Sequence, residues 1–375
     1  MQYISEFFLY ISFAIVMGSC LLLNVPARYK PTIKVPKGML LSAIIAIPLL
    51  SYVPLHMTAI DYGESFQLGY IAMMKSILLD LQIGKAWLWT ALGAAGLAII
   101  VGVPVFAKDR HMPKVALMLT LLLTFWLGYG SHVASLDAIN GLIVHTGHFT
   151  AVAIWLGILF IVSWFAKDDL NWHAFLRWFS PLAVICVVIA LIAGITLMTY
   201  TTPQYSNALM LNYGQLMLLK HAALIPLLWL AFSNGFLYPR YARSSSMPSQ
   251  RTLLRVESVI ALLVLGFTAI MGQTAPPHNV VETLRTETPS QLFTAIYQGS
   301  FSPDLQLVWS FNSSNLLLLA AALLVLYAIT IAFKHRSISW MISLSIVAVA
   351  IVYFAVMFGL EAKESDITAL VLYTK

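Results

Sequence analysis

Apolar stretches of roughly 20 residues recur along the chain, each long enough to cross about 30 Å of hydrocarbon. Ten such segments can be drawn, at about 4–25, 38–60, 86–106, 115–134, 141–165, 175–200, 213–235, 254–273, 315–333 and 338–360. The chain is 60% hydrophobic and 10% charged, where a soluble domain carries about a quarter of its residues as charges. The fold class that follows is all-α, a polytopic transmembrane helix bundle of about ten spans whose surrounding partner is the lipid bilayer. In such a chain the net charge of +6 reports topology and gives no reason to expect nucleic acid. The N-terminal MQYISEFFLY has no basic region and reads as the start of the first span.

Basic residues alternate between loops. Arg28, Lys30, Lys34 and Lys37 follow span one, and Lys108, Arg110 and Lys114 follow span three. Lys167 and Arg177 follow span five; Arg240, Arg243, Arg251 and Arg255 follow span seven; Lys334 and Arg336 follow span nine. The intervening loops hold only Lys75, Lys85 and Arg285, with Lys363 and Lys375 in the tail. By the positive-inside rule both termini are extracytoplasmic. Segment 66–82, with Lys75 and Asp80, reads as an interfacial helix or the lead-in to span three. The Pro-, Ser- and Thr-rich stretch at about 274–314 reads as an outer loop.

This topology sorts the nine histidines. His111, His173 and His335 fall in cytoplasmic loops and read as solvated residues. His56, His132, His145, His148, His221 and His278 fall outside or in the outer part of a span, with His132 ending span four. At 1.5 Å per residue, His148 and His221 lie roughly 10 Å from the starts of their helices, and His56 and His132 about 3–6 Å from the ends of theirs. His145 and His148 are i, i+3 neighbours, and Met217 and His221 are i, i+4 neighbours, so each pair shares a face. Met57 adjoins His56; Met73, Met74, Met198, Met210 and Met271 also fall on the outer side. Imidazole with thioether suits copper, whereas zinc more often recruits cysteine or carboxylate. The candidate metal ligands are therefore His148, His221, His132, His145, His56, Met217 and Met57, with Lys220, Met73 and Met271 in support. His132, His148 and His221 are expected to converge, their ring nitrogens within roughly 4 Å of one another around one ion. The His145/His148 face is expected to turn toward span seven.

Other polar residues have rival readings. Lys220 can snorkel to the interface or neutralise an anion. Glu257, near Arg251 and Arg255, reads as one partner of an interfacial ion pair. Asp61, Glu64 and Asp137 mark an outer mouth, and Trp87, Trp89, Trp126 and Trp155 read as belt or packing aromatics. The two cysteines, Cys20 and Cys186, lie inside spans, form no CxxC pair and read as packing residues. With Met17 and Met118 they are the poor candidates for a path into the inner leaflet.

The stretch LMLNYGQLMLLKHAALIPLLWLAFSNGFLYPR (209–240) carries Tyr213-Gly214 before a helix, then Lys220, Asn234 and Pro239-Arg240. The next helix has Glu257 near its start and Pro276-Pro277 after it, and upstream His148 precedes Trp155-Leu156-Gly157. In this combination residues 141–277 resemble the copper-resistance protein D family. The resemblance implies copper handling at the bacterial cytoplasmic membrane, beside an extracytoplasmic copper-binding donor protein. It divides the chain into N-terminal membrane helices (1–140, spans one to four with the 66–82 segment), a family-like membrane domain (141–277), an extracytoplasmic loop (278–314) and two C-terminal spans with a tail (315–375). LLDLQIGKAWLW (79–90) echoes LMLNYGQLMLLK (209–220), with Gly84 matching Gly214, which admits a parallel repeat of two four-helix units.

The function expected is to accept copper, as Cu(I) or Cu(II), at the outer face and carry it across the membrane, in copper import, homeostasis or resistance. No catalytic residues are assigned, and no nucleotide-binding motif suggests ATP-driven pumping. Two alternatives stand beside it. One is a b-type haem membrane protein, redox or haem-handling, with His148 and His221 as axial ligands. The other is an assembly factor delivering copper to a respiratory oxidase.

Overall fold

The computed structural model describes residues 1–107, 109–238, 250–297, 299, 301–334 and 337–363. Lys108, Pro239, Arg240, Arg243, Ser300, His335, Arg336 and Lys375 lie outside the described residues. Among the described residues the chain is all-α apart from one short strand pair. In order come α1 (Gln2–Asn24), α2 (Lys37–Ser65), α3 (Tyr70–Asp80), α4 (Gln82–Gly102), α5 (Pro104–Ala107), α6 (Met112–Tyr129), α7 (His132–Leu136) and α8 (Asn140–Phe165). Then follow α9 (Trp172–Thr201), α10 (Tyr205–Ala208), α11 (Asn212–Phe232) running into a π-turn (Ser233–Leu237), and α12 (Gln250–Gly272). The C-terminal part holds α13 (Val280–Thr286), α14 (Gln291–Ile296), β1 (Leu307–Trp309), α15 (Ser313–Lys334), α16 (Ile338–Met357) and β2 (Leu360–Ala362). Ten of these helices are long and apolar enough to cross a membrane: α1, α2, α4, α6, α8, α9, α11 with its π-turn, α12, α15 and α16. Helices suit that setting because each satisfies its own backbone amides and carbonyls where no water can.

The chain forms two compact units, residues 1–200 with 231–273, and residues 201–230 with 274–375. In the first, side chains at helix ends fix an up-and-down order. Asn24 Nδ2 donates to Pro113 O (2.8 Å), Lys37 Nζ to Gly102 O (2.7 Å) and Gln82 Nε2 to Tyr129 O (2.6 Å). Helices α1 and α8 cross where two glycines meet: a Cβ on Gly18 would sit 2.1 Å from Gly157 O, and one on Gly157 2.5 Å from Ala14 O. Small residues at such a crossing let backbones approach closely, the usual device for helix association in lipid. Around it Leu9, Phe13, Val16 and Cys20 of α1 pack with Ile44, Ile47, Leu97 and Leu123.

At the far end of α1 the 25–36 loop docks on the α8–α9 loop. Lys34 N donates to Phe165 O (3.1 Å), Lys167 N to Thr32 O (2.8 Å) and Asn171 Nδ2 to Ala27 O (3.1 Å). Hydrogen bonds from Thr32 hold the Asp168 carboxyl below its ordinary value. Arg251 Nη1 reaches Ala166 O at 2.7 Å. Basic residues of two loops and of the first turn of α12 therefore gather at this end of the unit.

In the second unit the 274–314 stretch is folded, contrary to its reading as a loop. Ser290 N donates to Met210 O (2.8 Å), Leu307 N to Asn207 Oδ1 (2.7 Å), and β1 pairs antiparallel with β2. Phe293, Val280 and Leu284 are buried against Met210, Tyr353 and Met357. Tyr353 donates to Gln215 Oε1, and Gln215 Nε2 donates to Leu209 O at 2.5 Å.

Segment 66–82 contains a helix distinct from span three, α3, in keeping with the first of its two readings, and its Met73 and Met74 are buried with Leu55, Ala59 and Ile77. Other positions differ from expectation. Span four ends at Tyr129, and His132 opens the separate α7, where Ser131 Oγ caps Ala134 N (3.2 Å). Helix α2 runs nine residues past His56, to Ser65, so His56 is about 13 Å from the helix end instead of 3–6 Å. The echo at Gly84 and Gly214 has a local counterpart. In each case a short helix precedes the span, and a Cβ on the glycine would sit 2.0 Å from that helix's carbonyl, Ile77 O or Ala208 O.

Candidate functional site

His145 and His148 occupy one face of the first three turns of α8, and their surroundings differ. His148 Nδ1 is 2.8 Å from Ala190 O of α9, with Gly194 close behind the ring. A carbonyl can only accept, so Nδ1 carries the proton and Nε2 carries the lone pair. An imidazole held by a carbonyl in this way has the orientation that metal-ligating histidines use. His145 Nδ1 is inaccessible to solvent and has no hydrogen-bond partner among the described residues; the same holds for Thr146 Oγ1, which faces Gly128.

Beside this pair stands a residue that sequence reading passed over. Glu6 is the only charged residue of α1. Its carboxyl accepts from Gln273 Nε2 at 3.1 Å, just beyond α12, and hydrogen-bonds Tyr10. The Tyr10 ring is 5.9 Å from that of Phe149, the residue after His148. Glu6, Tyr10 and Gln273 thus bring polar groups to the end of the first unit where α8 begins. The signal was present in the i, i+4 spacing of Glu6 and Tyr10, but a lone acid at the head of a span looks like a flanking charge.

The remaining candidates are on other helices, some of them in the second unit. His132 is exposed on α7. His56 Nδ1 hydrogen-bonds Tyr70 OH (2.8 Å), which in turn meets Tyr52 OH (3.0 Å). Met57 and Met271 are half-buried in the first unit. Asp137 is occupied in starting α8: its carboxyl accepts from Asn140 N (3.1 Å) and Nδ2 (2.9 Å), contacts that hold it below its ordinary value. In the second unit His221 Nδ1 lies 3.2 Å from Tyr205 OH, Met217 is buried, and Lys220 is half-buried next to His221. Burial pushes the Tyr205 phenol up to about 12, so it remains a hydroxyl. Among the described residues no three His, Cys, Asp or Glu side chains gather as a metal-binding group.

Glu257 is not the interfacial ion pair that its neighbours in sequence suggest. It is buried and accepts from Asn234 Nδ2 (2.7 Å), while Arg255 donates to Ser163 O (2.9 Å) and Arg251 to Ala166 O. Trp155, read as belt or packing, is buried and also hydrogen-bonds Glu257. Cys20 and Cys186 are buried free thiols.

Two family models match the sequence. "Copper resistance protein D" matches residues 173–271, and "Copper resistance protein D-like, N-terminal domain" matches residues 1–142. Together they cover well over half of the chain. The chain belongs to the copper-resistance protein D family. The N-terminal match extends the family beyond 141–277, to the helices of residues 1–142. Met217, Lys220, His221, Asn234 and Glu257 lie within the first match and His56, Met57, Met73 and His132 within the second, whereas His145 and His148 fall in the interval between them. A curated relative, "Copper transport protein CutJ" of Bacillus subtilis (strain 168), is 26% identical over 250 residues, 63% of this chain. The alignment spans 44% of that relative's own length. No solved structure matches.

Proposed function

We propose that this membrane protein accepts copper ions at the end where α1 begins, the outer face of the bacterial cytoplasmic membrane, and carries them inward. The observation that carries this reading is the histidine pair on α8. One ring is held by Ala190 O with its lone pair on Nε2, and the other presents a buried ring nitrogen that has no partner among the described residues. A buried polar atom without a partner calls for a water or an ion. Imidazoles next to thioethers suit copper in either oxidation state. The family and the printed name of the Bacillus relative support copper over haem. In the second unit His221 with Met217 on α11, and in the first His56 with Met57 on α2, are further stations of the same chemistry. Several moderate sites would let the ion leave as well as enter. Copper reaches the outer face on an extracytoplasmic donor protein and is exchanged to these ligands.

Metal analysis and absorption spectroscopy of the purified protein test the reading together. Bound copper with no haem absorption is expected; haem absorption without copper would overturn it.

The orientation is supported by the gathering of Lys34, Lys167 and Arg251 at the end opposite the histidines. Reporter fusions after Arg240 and after Ser300 should signal cytoplasm and exterior respectively. A common compartment for both would reject the topology.

Glu6 adds an oxygen ligand and a source of negative potential at the entrance. Glu6→Gln is expected to slow copper capture by about threefold to tenfold, with the larger effect at low ionic strength. Stopped-flow or radiotracer capture at two salt concentrations measures it. An unchanged rate would confine Glu6 to packing with Tyr10 and Gln273.

A further inference from the structure

We propose that Glu257 is a proton-binding site inside the membrane: its carboxyl, clamped by Asn234 and Trp155, takes up and releases one proton as the protein works. Glu257 is the eighth residue of α12, about 10 Å along the helix from Gln250. It is 3% exposed, and Asn234 and Gln250 are as deeply buried. A carboxylate here without a cation is expensive, and an ionisable residue at such depth is functional by default.

The groups around it on each neighbouring element offer no counter-charge. On α12, Arg251 and Arg255 are committed to Ala166 O and Ser163 O, and the Arg255 guanidinium lies 5.2 Å over the Trp164 ring. From α8 comes Trp155, and from the π-turn Asn234. The acid and phenol of α1, Glu6 and Tyr10, belong to the opposite end, at Gln273. At the head of α9, Trp172 donates to Gln250 Oε1 (2.6 Å), while His173 and Arg177 are exposed. Among the described residues Glu257 makes no ion pair.

The clamp suits both protonation states. Asn234 Nδ2 donates to Glu257 Oε2 at 2.7 Å, which serves the carboxylate. Asn234 Oδ1 is buried and has no partner among the described residues. A half-turn of the amide would present Oδ1 to Glu257, where it accepts the O–H of the neutral acid. The backbone need not follow, because Gln250 Nε2 holds Asn234 O at 3.1 Å and is itself held by Trp172. Asn234 sits in a π-turn, a local widening that often marks functional positions in helices. The step is a proton transfer alone: water at the Gln250 end gives up H⁺, one carboxylate oxygen gains it, and the reverse step returns it. Use of that proton to drive copper rests on the copper reading; the site itself does not.

Infrared difference spectroscopy of the full-length protein in lipid vesicles, without copper, tests the site. Between about pH 5 and about pH 9, a protonated-carboxyl band should appear, shift in D₂O and be missing in Glu257→Gln. Should that variant fail to accumulate, Asn234→Ala should move the band's frequency, because the amide is its partner in both states. A wild-type spectrum without an exchangeable carboxyl band, or a band indifferent to both substitutions, would overturn the proposal. Copper binding measured on the same samples reports separately on the outer site.

Discussion

His148→Ala is expected to weaken copper binding by at least about 100-fold while leaving the protein folded in the membrane. Loss of an outer-shell partner alone typically costs 10–100-fold in metal affinity, and loss of the ligand itself should cost no less. The ring's hydrogen bond to Ala190 O, at 2.8 Å, is worth about 0.5–1.5 kcal/mol, small by comparison. Accumulation and thermal unfolding should therefore change little. His145→Ala removes a ring that no hydrogen bond orients through Nδ1 and should cost less, about tenfold. Equilibrium titration with a Cu(I) competitor, alongside unfolding in the same detergent, separates the two effects. Unchanged affinity in His148→Ala would make its contact with Ala190 a packing device and remove the main support for a copper site on α8.

The spans were legible because lipid leaves a chain little freedom: a crossing segment needs a long apolar run, and such runs are visible without any knowledge of packing. Their ends were less so. Span three stops at Gly102, before the Val103-Pro104 step, and α2 continues to Ser65 past Asp61 and Glu64, since a helix need not end where its apolar run does. The 274–314 stretch was illegible because its helices of seven and six residues are too short to be stable alone. They exist because Val280, Leu284 and Phe293 are buried in the second unit's core.

The candidate site was legible in part for a related reason. Histidine in an apolar run is conspicuous, and the i, i+3 pair on α8 did share a face. The partners of polar residues come from other helices and leave no trace in local spacing. Glu257 illustrates this. Its proximity in sequence to Arg255 suggested an ion pair, but residues two apart on a helix do not face each other. Its true partners, Asn234 and Trp155, lie 23 and 102 positions away in the chain.

Gly157→Leu is expected to abolish accumulation of folded protein. The crossing of α1 and α8 has no room for a side chain at either glycine. A Cβ on Gly157 would meet Ala14 O at 2.5 Å and Gly18 N at 2.8 Å, both backbone atoms that cannot swing aside. The helices would have to separate, loosening Leu9, Phe13, Val16 and Cys20 in the core they share with α2, α4 and α6. Overpacking costs about 1–3 kcal/mol when a core can adjust, and a leucine against rigid backbone exceeds what adjustment can absorb. Net stabilities of only about 5–15 kcal/mol leave little margin. Gly157→Ala, with the same first contact and no more, should fold but unfold at lower temperature. Adding Gly18→Ala should give a combined loss that departs from the sum of the two, because both act on one crossing. Fluorescence-detected gel filtration after stepwise heating reads all three variants. A Gly157→Leu protein with the wild-type profile would mean that α1 and α8 do not meet at these glycines, and with that contact would go the register that sets Glu6 and Tyr10 beside the head of α8.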